Sequence, residues 1–222
     1  MTSSSQQPIS LPPDQRAKLL AQRRLSDEFD QEVLAALDFL SPDIRPYLTD
    51  YFILIEDFKV TLIEEYRRCY SDYSFLVVPI HKAFECYLFK LFGDILEFTI
   101  SRKTNIGYYL NVLAENKRKE SIETLIAKYP FAKIDEKKWL AMWQALGRQW
   151  ETNRNPLTHF EGERINNINS AQQVASSIVR EMKLSAKLIN DELFIPVIEK
   201  IQKEEKEKEE IRKNKELLGP VD

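Results

Sequence analysis

Histidine is the side chain whose proton affinity lies nearest neutral pH, and this 222-residue chain has two, His81 and His159. His81 lies among Val77, Val78, Ile80 and Phe84, a setting that reads as a hydrogen-bonded structural histidine. His159 ends the run Arg154-Asn155-Pro156-Leu157-Thr158-His159, between two expected helices. Asn155 can cap a helical turn begun by Pro156, which puts Thr158 and His159 on that first turn and leaves Arg154 just outside it. An imidazole and a guanidinium can then project into one small volume, a pairing suited to moving protons around a bound anion. The alternative reading is structural: Arg154 and His159 close a helix end by meeting its last carbonyls. The two cysteines, Cys69 and Cys86, have no metal-ligand spacing and read as reduced core thiols. No metal site and no cofactor are expected.

The elements that must hold this run are helical. Five glycines that never cluster argue against turn-rich β architectures and against phosphate-cradling glycine loops. Residues 1–13 are Ser-, Gln- and Pro-rich and read as a flexible arm. From Asp14 to Phe39 a ragged apolar stripe through Leu25, Phe29, Val33 and Leu37 predicts one or two surface helices, and Ser41-Pro42 reads as the start of the next. Tyr51, Ile55, Phe58, Leu62 and Tyr66 predict an amphipathic helix ending near Ser71-Asp72. The segment through Ile80, Phe84, Tyr87, Leu88, Leu91, Ile95 and Phe98 predicts the central core helix, with Pro79 in its first turn or at a kink. Glu120 to Tyr129 predicts a short helix stopped by Pro130. Asp135 is the expected N-cap of a long helix with Trp139, Met142, Trp143, Leu146 and Trp150 on its core face. Ser170 is the expected cap of a helix carrying Val174, Ile178, Met182 and Ile189, and Pro196 the start of another. The fold class is all-α: a helical domain over 14–199, followed by a charged helical tail over 200–222 that supports itself by Lys/Glu pairs one turn apart.

The balance of 32 Lys+Arg against 35 Asp+Glu gives a net charge of -3 and excludes a broadly basic, nucleic-acid-coating surface. Local basic patches remain, and Lys117, Arg118, Lys119 and Arg148, with Lys133, Lys137 and Lys138, are candidates for guiding an RNA backbone. The N-terminus has no secretory pattern and the longest apolar run, Phe75 to Ile80, is far too short to span a bilayer, so a cytoplasmic protein without a membrane partner is expected.

Arg-Asn-x-x-x-His, at Arg154 to His159, resembles the R-x4-6-H signature of the HEPN superfamily, small helical domains that include metal-independent endoribonucleases and toxins. Its place, after a long helix and ahead of the last core helix, is similar to the family's. Ala83-Phe84-Glu85-Cys86-Tyr87-Leu88 resembles the family's first core helix. Ile106-Gly107-Tyr108-Tyr109 and the polar stretch from Phe160 to Ser170 resemble the HEPN domain of RNase LS-type toxins. The resemblance covers about 51–192 as a HEPN-like helical bundle and leaves the preceding helices as an N-terminal extension. Some HEPN toxins carry tyrosine two residues after the histidine; this chain has Glu161 there.

The resemblance implies an endoribonuclease in which Arg154, His159 and Asn155 form half of a composite site, completed by a second copy in a homodimer. Glu85 would then orient Arg154, Thr158 would support the same turn, and a toxin or antiviral defence role with an inhibitor or antitoxin protein would follow. The rival from another class is a non-catalytic helical dimerisation or adaptor module, with the charged tail reaching a partner.

Overall fold

The computed structural model describes residues 12–61, 72–96, 106–107, 109–110, 118–154 and 164–218, and no strand occurs among them. Helix α1 spans Pro13–Glu28 and α2 spans Gln31–Leu40, separated by Phe29 and Asp30. Asp30 makes the break: its side chain accepts from Val33 N–H at 2.9 Å and caps α2. The sequence suggested surface helices here, and α2 departs from that. Val33, Leu34, Ala36, Leu37 and Leu40 are all buried, and all but Ala36 belong, with Phe29, to the same core as the rest of the chain. The N-terminal helices therefore pack into the body, because the buried positions of α2 form one broad stripe that meets several other helices.

Ser41 ends α2 and does not begin the next helix, which is α3, Ile44–Thr61. Its hydroxyl accepts from Asp43 N–H at 3.3 Å and from the Cys86 thiol at 3.4 Å, so this buried serine holds the turn through Pro42. A 3-10 turn over Ser74–Val77 leads into α4, Val78–Lys90, with Pro79 in the first turn, where its missing N–H costs nothing. Helix α4 ends in a widened π turn over Leu91–Ile95. Helix α5 is Arg118–Lys128 and stops before Pro130. Helix α6, Glu136–Gln149, is capped by the Asp135 carboxylate, which accepts from Lys137 and Lys138 N–H at 3.0 and 3.3 Å.

Helix α7 is Ile168–Ile189. Its cap is Asn167, whose side chain accepts from Ser170 N–H at 2.9 Å. The amide oxygen of Asn167 already meets the third N–H, so Ser170, the cap expected from the sequence, sits inside the first turn. A π turn over Asn190–Phe194 joins α7 directly to α8, Ile195–Leu218, so Pro196 does not restart a helix but sits within a continuing one. Pro196 lacks the N–H that would close on the Glu192 carbonyl one turn back. The backbone N–H of Lys133 donates to that carbonyl at 2.9 Å.

Helices α1, α3, α4, α7 and α6 pack in that order, with α2 lying across α3, α4 and α7. At the centre, Ile80, Phe84, Tyr87 and Leu88 of α4 are fully buried against Ala171, Ala175, Ile178, Met182 and Ala186 of α7. The alanines let the two helices approach closely. The Tyr87 hydroxyl donates to Ser185 Oγ at 2.7 Å, and burial pushes its pKa well above the ordinary tyrosine range, so it stays protonated. Along α8 the residues 201–213 are largely exposed and are laced by Lys200–Glu204 at 3.6 Å, Lys203–Glu207 at 3.8 Å and Lys213–Glu209 at 3.6 Å. Among the described residues no helix is long and apolar enough to cross a membrane.

Candidate functional site

Helix α6 carries the chain to the candidate run, and its core face fixes its position. Trp139, Met142, Trp143, Leu146 and Trp150 are buried. Trp143 stacks on Phe92 with ring centroids 5.7 Å apart, and Trp139 lies 6.1 Å from Trp143. The stripe is core, as the sequence suggested.

The start of α6 is held by a residue that the sequence did not single out. Glu192, buried in the π turn between α7 and α8, accepts from the Trp139 indole N–H at 2.8 Å, from Asp135 N–H at 2.8 Å and from Lys138 Nζ at 3.1 Å. Both carboxylate oxygens are engaged, which makes burial of this charge tolerable. The hydrogen bond to Glu192 also raises the Lys138 ammonium above its ordinary value.

At the other end, α6 passes into a π turn over Trp150–Arg154. Gln149 Oε1 accepts from Asn153 Nδ2 and from Ser177 Oγ of α7, and Thr152 Oγ1 donates to the Arg148 carbonyl at 2.7 Å. Arg154 is the last residue of this turn. Asn155, Thr158 and His159 lie outside the described residues, as do Lys117 and Cys69.

The chain returns at Arg164. Ile165 is buried, its N–H donates to Asp72 Oδ1 at 3.3 Å, and its carbonyl accepts from Tyr73 N–H at 2.8 Å. The same Asp72 oxygen accepts from Ser74 N–H at 2.9 Å and from the Ser74 hydroxyl at 2.6 Å. The Ser74 hydroxyl above all, then the backbone N–H groups and the Arg164 charge, hold the Asp72 carboxyl below the ordinary carboxylate range against the opposing effect of its desolvation. The candidate run is thus fastened at its start to α7 and at its return to the beginning of α4.

Glu85 sits half-buried on α4, with Lys82 one turn back at 3.7 Å. Its neighbour Phe84 lies against Trp150, ring centroids 6.3 Å apart, one turn before Arg154. His81, the other histidine, is buried on α4 one turn before Glu85.

The basic candidates are dispersed. Arg118 and Lys119 begin α5. Lys138 and Arg148 lie along one groove of about 420 Å³ between α6 and α7, with Ala141, Ala145, Glu181 and Leu188. They are ten residues apart, about 15 Å along the helix, and Lys138 is tied to Glu192. Lys133 and Lys137 are exposed at the start of the same helix. Of these candidates among the described residues, Arg148 is the nearest in the chain to the candidate run. Among the described residues no cluster of His, Cys, Asp or Glu could hold a metal ion. Cys86 is a free, half-buried thiol.

No protein-family model, curated protein or solved structure matches this chain.

Proposed function

We propose that this protein is a cytoplasmic, metal-independent endoribonuclease that works as a homodimer. The observation that carries the reading is the spacing of Arg154, Asn155 and His159, a run that begins at the last residue of the π turn following α6. The Phe84–Trp150 contact supports it, because it brings the α4 stretch that carries Glu85 beside that turn.

The chemistry follows from the residue types. A 2′-hydroxyl attacks the adjacent phosphorus while the 5′-oxygen leaves, giving a 2′,3′-cyclic phosphate and a 5′-hydroxyl. One imidazole takes the proton from the 2′-hydroxyl and a second delivers a proton to the 5′-oxygen. Guanidinium groups stabilise the charge that accumulates on the phosphorane oxygens. One chain offers one such His and Arg in this run; a twofold pair of chains offers two of each around one phosphate. Asn155 would hydrogen-bond a phosphate oxygen, Glu85 would orient Arg154, and Thr158 would support the turn. Lys117, Arg118, Lys119 and Arg148 would guide the RNA backbone. The setting would be a toxin or antiviral defence factor held in check by an inhibitor or antitoxin protein.

The test is incubation of purified protein with mixed RNA in excess chelator, followed by mapping of the ends. Cuts that leave 2′,3′-cyclic phosphates are expected. RNA left intact, or cutting that stops with chelator, counts against the proposal. A second reading, a non-catalytic dimerisation or adaptor module, is favoured by the exposed length of α8 and by the outward face of α4. Under that reading the protein leaves every RNA intact while still self-associating.

A further inference from the structure

Helix α4 is the central helix of the core, yet its outward face is not polar throughout. Val78 is 49% exposed and Phe89 is 42% exposed, with Lys82 exposed and Glu85 half-buried between them. Phe75, on the 3-10 turn just before, is 39% exposed and extends the same end. Single exposed apolar residues are ordinary; Val78 and Phe89 stand at the two ends of one helix face, with the charged pair Lys82 and Glu85 between them.

The spacing of this face is specific. Val78, Lys82, Glu85 and Phe89 step by four, three and four residues, the seam spacing with which two helices pack side by side. The seam is its own complement about the point midway between Ala83 and Phe84. Val78 lies as far before that point as Phe89 lies after it, and Lys82 as far before it as Glu85 after. A twofold axis through the midpoint runs two copies of α4 antiparallel. It sets Val78 of each copy against Phe89 of the other, and Lys82 of each against Glu85 of the other. The Lys82–Glu85 pair within each chain, 3.7 Å apart, then becomes half of a four-charge cluster of alternating sign. Apolar contacts flank it at both ends, which lowers the local dielectric and strengthens the central charges.

We propose that the outward face of α4 is an isologous contact surface for a second copy of this chain, formed by Val78, Lys82, Glu85 and Phe89 about a twofold axis level with the midpoint between Ala83 and Phe84. The surface is self-complementary in shape and in charge, as an isologous contact must be. One helix face covers less than the ~800 Å² per partner of a standard interface, so the association is weak and reversible. The inference does not rest on the ribonuclease reading, since association is measured without RNA.

The experiment is sedimentation velocity on the full chain over a concentration series. The wild type should show a reversible monomer–dimer equilibrium. Lys82→Glu and Glu85→Lys should each weaken it by about tenfold or more, because like charges then meet twice at the axis. Mixing the two variants in equal amounts should restore dimers at the wild-type concentration range, since every charge then faces its opposite. Each variant carries like charges within its own chain, so recovery on mixing can come only from contacts between chains. Val78→Ser with Phe89→Ser should abolish association while helicity by circular dichroism is retained. A wild type monomeric at every concentration, dimers unaffected by the single substitutions, or a mixture that stays monomeric would each overturn the proposal. The first outcome would assign the face to a different partner, and the second would move the dimer to another surface.

Discussion

Glu192 is the residue whose replacement most sharply tests how α6 is held. Glu192→Ala removes the acceptor shared by the Trp139 indole, the Asp135 N–H and the Lys138 ammonium. Trp139 is fully buried, so its stranded N–H costs about 1–3 kcal/mol. The part-buried Asp135 N–H adds about 1 kcal/mol, and the one lost methylene about 0.8 kcal/mol. The total predicted is about 3–5 kcal/mol. Glu192→Gln keeps one oxygen as acceptor and turns an N–H₂ toward donors, costing about 1–2 kcal/mol. Lys138→Ala removes only a side chain that is 62% exposed, an exposed partner of the pair, and should leave stability nearly unchanged. Urea unfolding followed by tryptophan fluorescence reads all three, because Trp139 is one of three buried tryptophans that report the transition. A Lys138→Ala loss equal to that of Glu192→Ala, or a Glu192→Ala loss below about 1 kcal/mol, would refute the assignment of Glu192 as the clamp on α6.

Other outcomes follow from the same geometry. Trp143→Ala and Phe84→Ala each empty a fully packed core position and should cost about 3–5 kcal/mol, checked by the shift of the urea midpoint. Asp72 has a folded-state proton affinity below that of the unfolded chain, so its contribution is present above the unfolded carboxylate value and is lost as pH falls through the folded one. Melting temperature followed downward from about pH 5 should therefore fall less steeply in Asp72→Asn than in the wild type; equal slopes would contradict the role given to Asp72.

What the sequence disclosed was whatever depends on neighbours along the chain. The Trp139–Trp150 face, the Asp135 cap and the stop before Pro130 were legible, because periodicity, capping and chain breaking act over one or two turns. The burial of α2 was not, since ten residues leave periodicity little room to tell a broad core-facing stripe from a narrow surface one. Ser170 gave way to Asn167 because either side chain can cap, and only the backbone decides which one does. Glu192 and Asp72 were illegible for a different reason. In the sequence each is a carboxylate in a polar stretch, while the donors that bury Glu192 lie 53 to 57 residues away and the Asp72–Ile165 bond spans 93. For the candidate site, the spacing of Arg154 and His159 was legible and so was its position after α6. The fastening of its two ends, by Gln149 and Ser177 on one side and Asp72 on the other, came only with the tertiary structure.

The central claim, that Arg154 and His159 cleave RNA, is tested most directly by the cleavage rate of the wild type and of His159→Ala on one RNA substrate in excess chelator. The same substrate carrying hydrogen in place of the 2′-hydroxyl at the cut position serves as the chemical control. The account predicts cutting by the wild type, a loss of at least about a hundredfold in His159→Ala at unchanged melting temperature, and no cutting of the 2′-deoxy substrate. Cleavage that survives His159→Ala in a nuclease-free preparation, or that proceeds at a 2′-deoxy position, would contradict it.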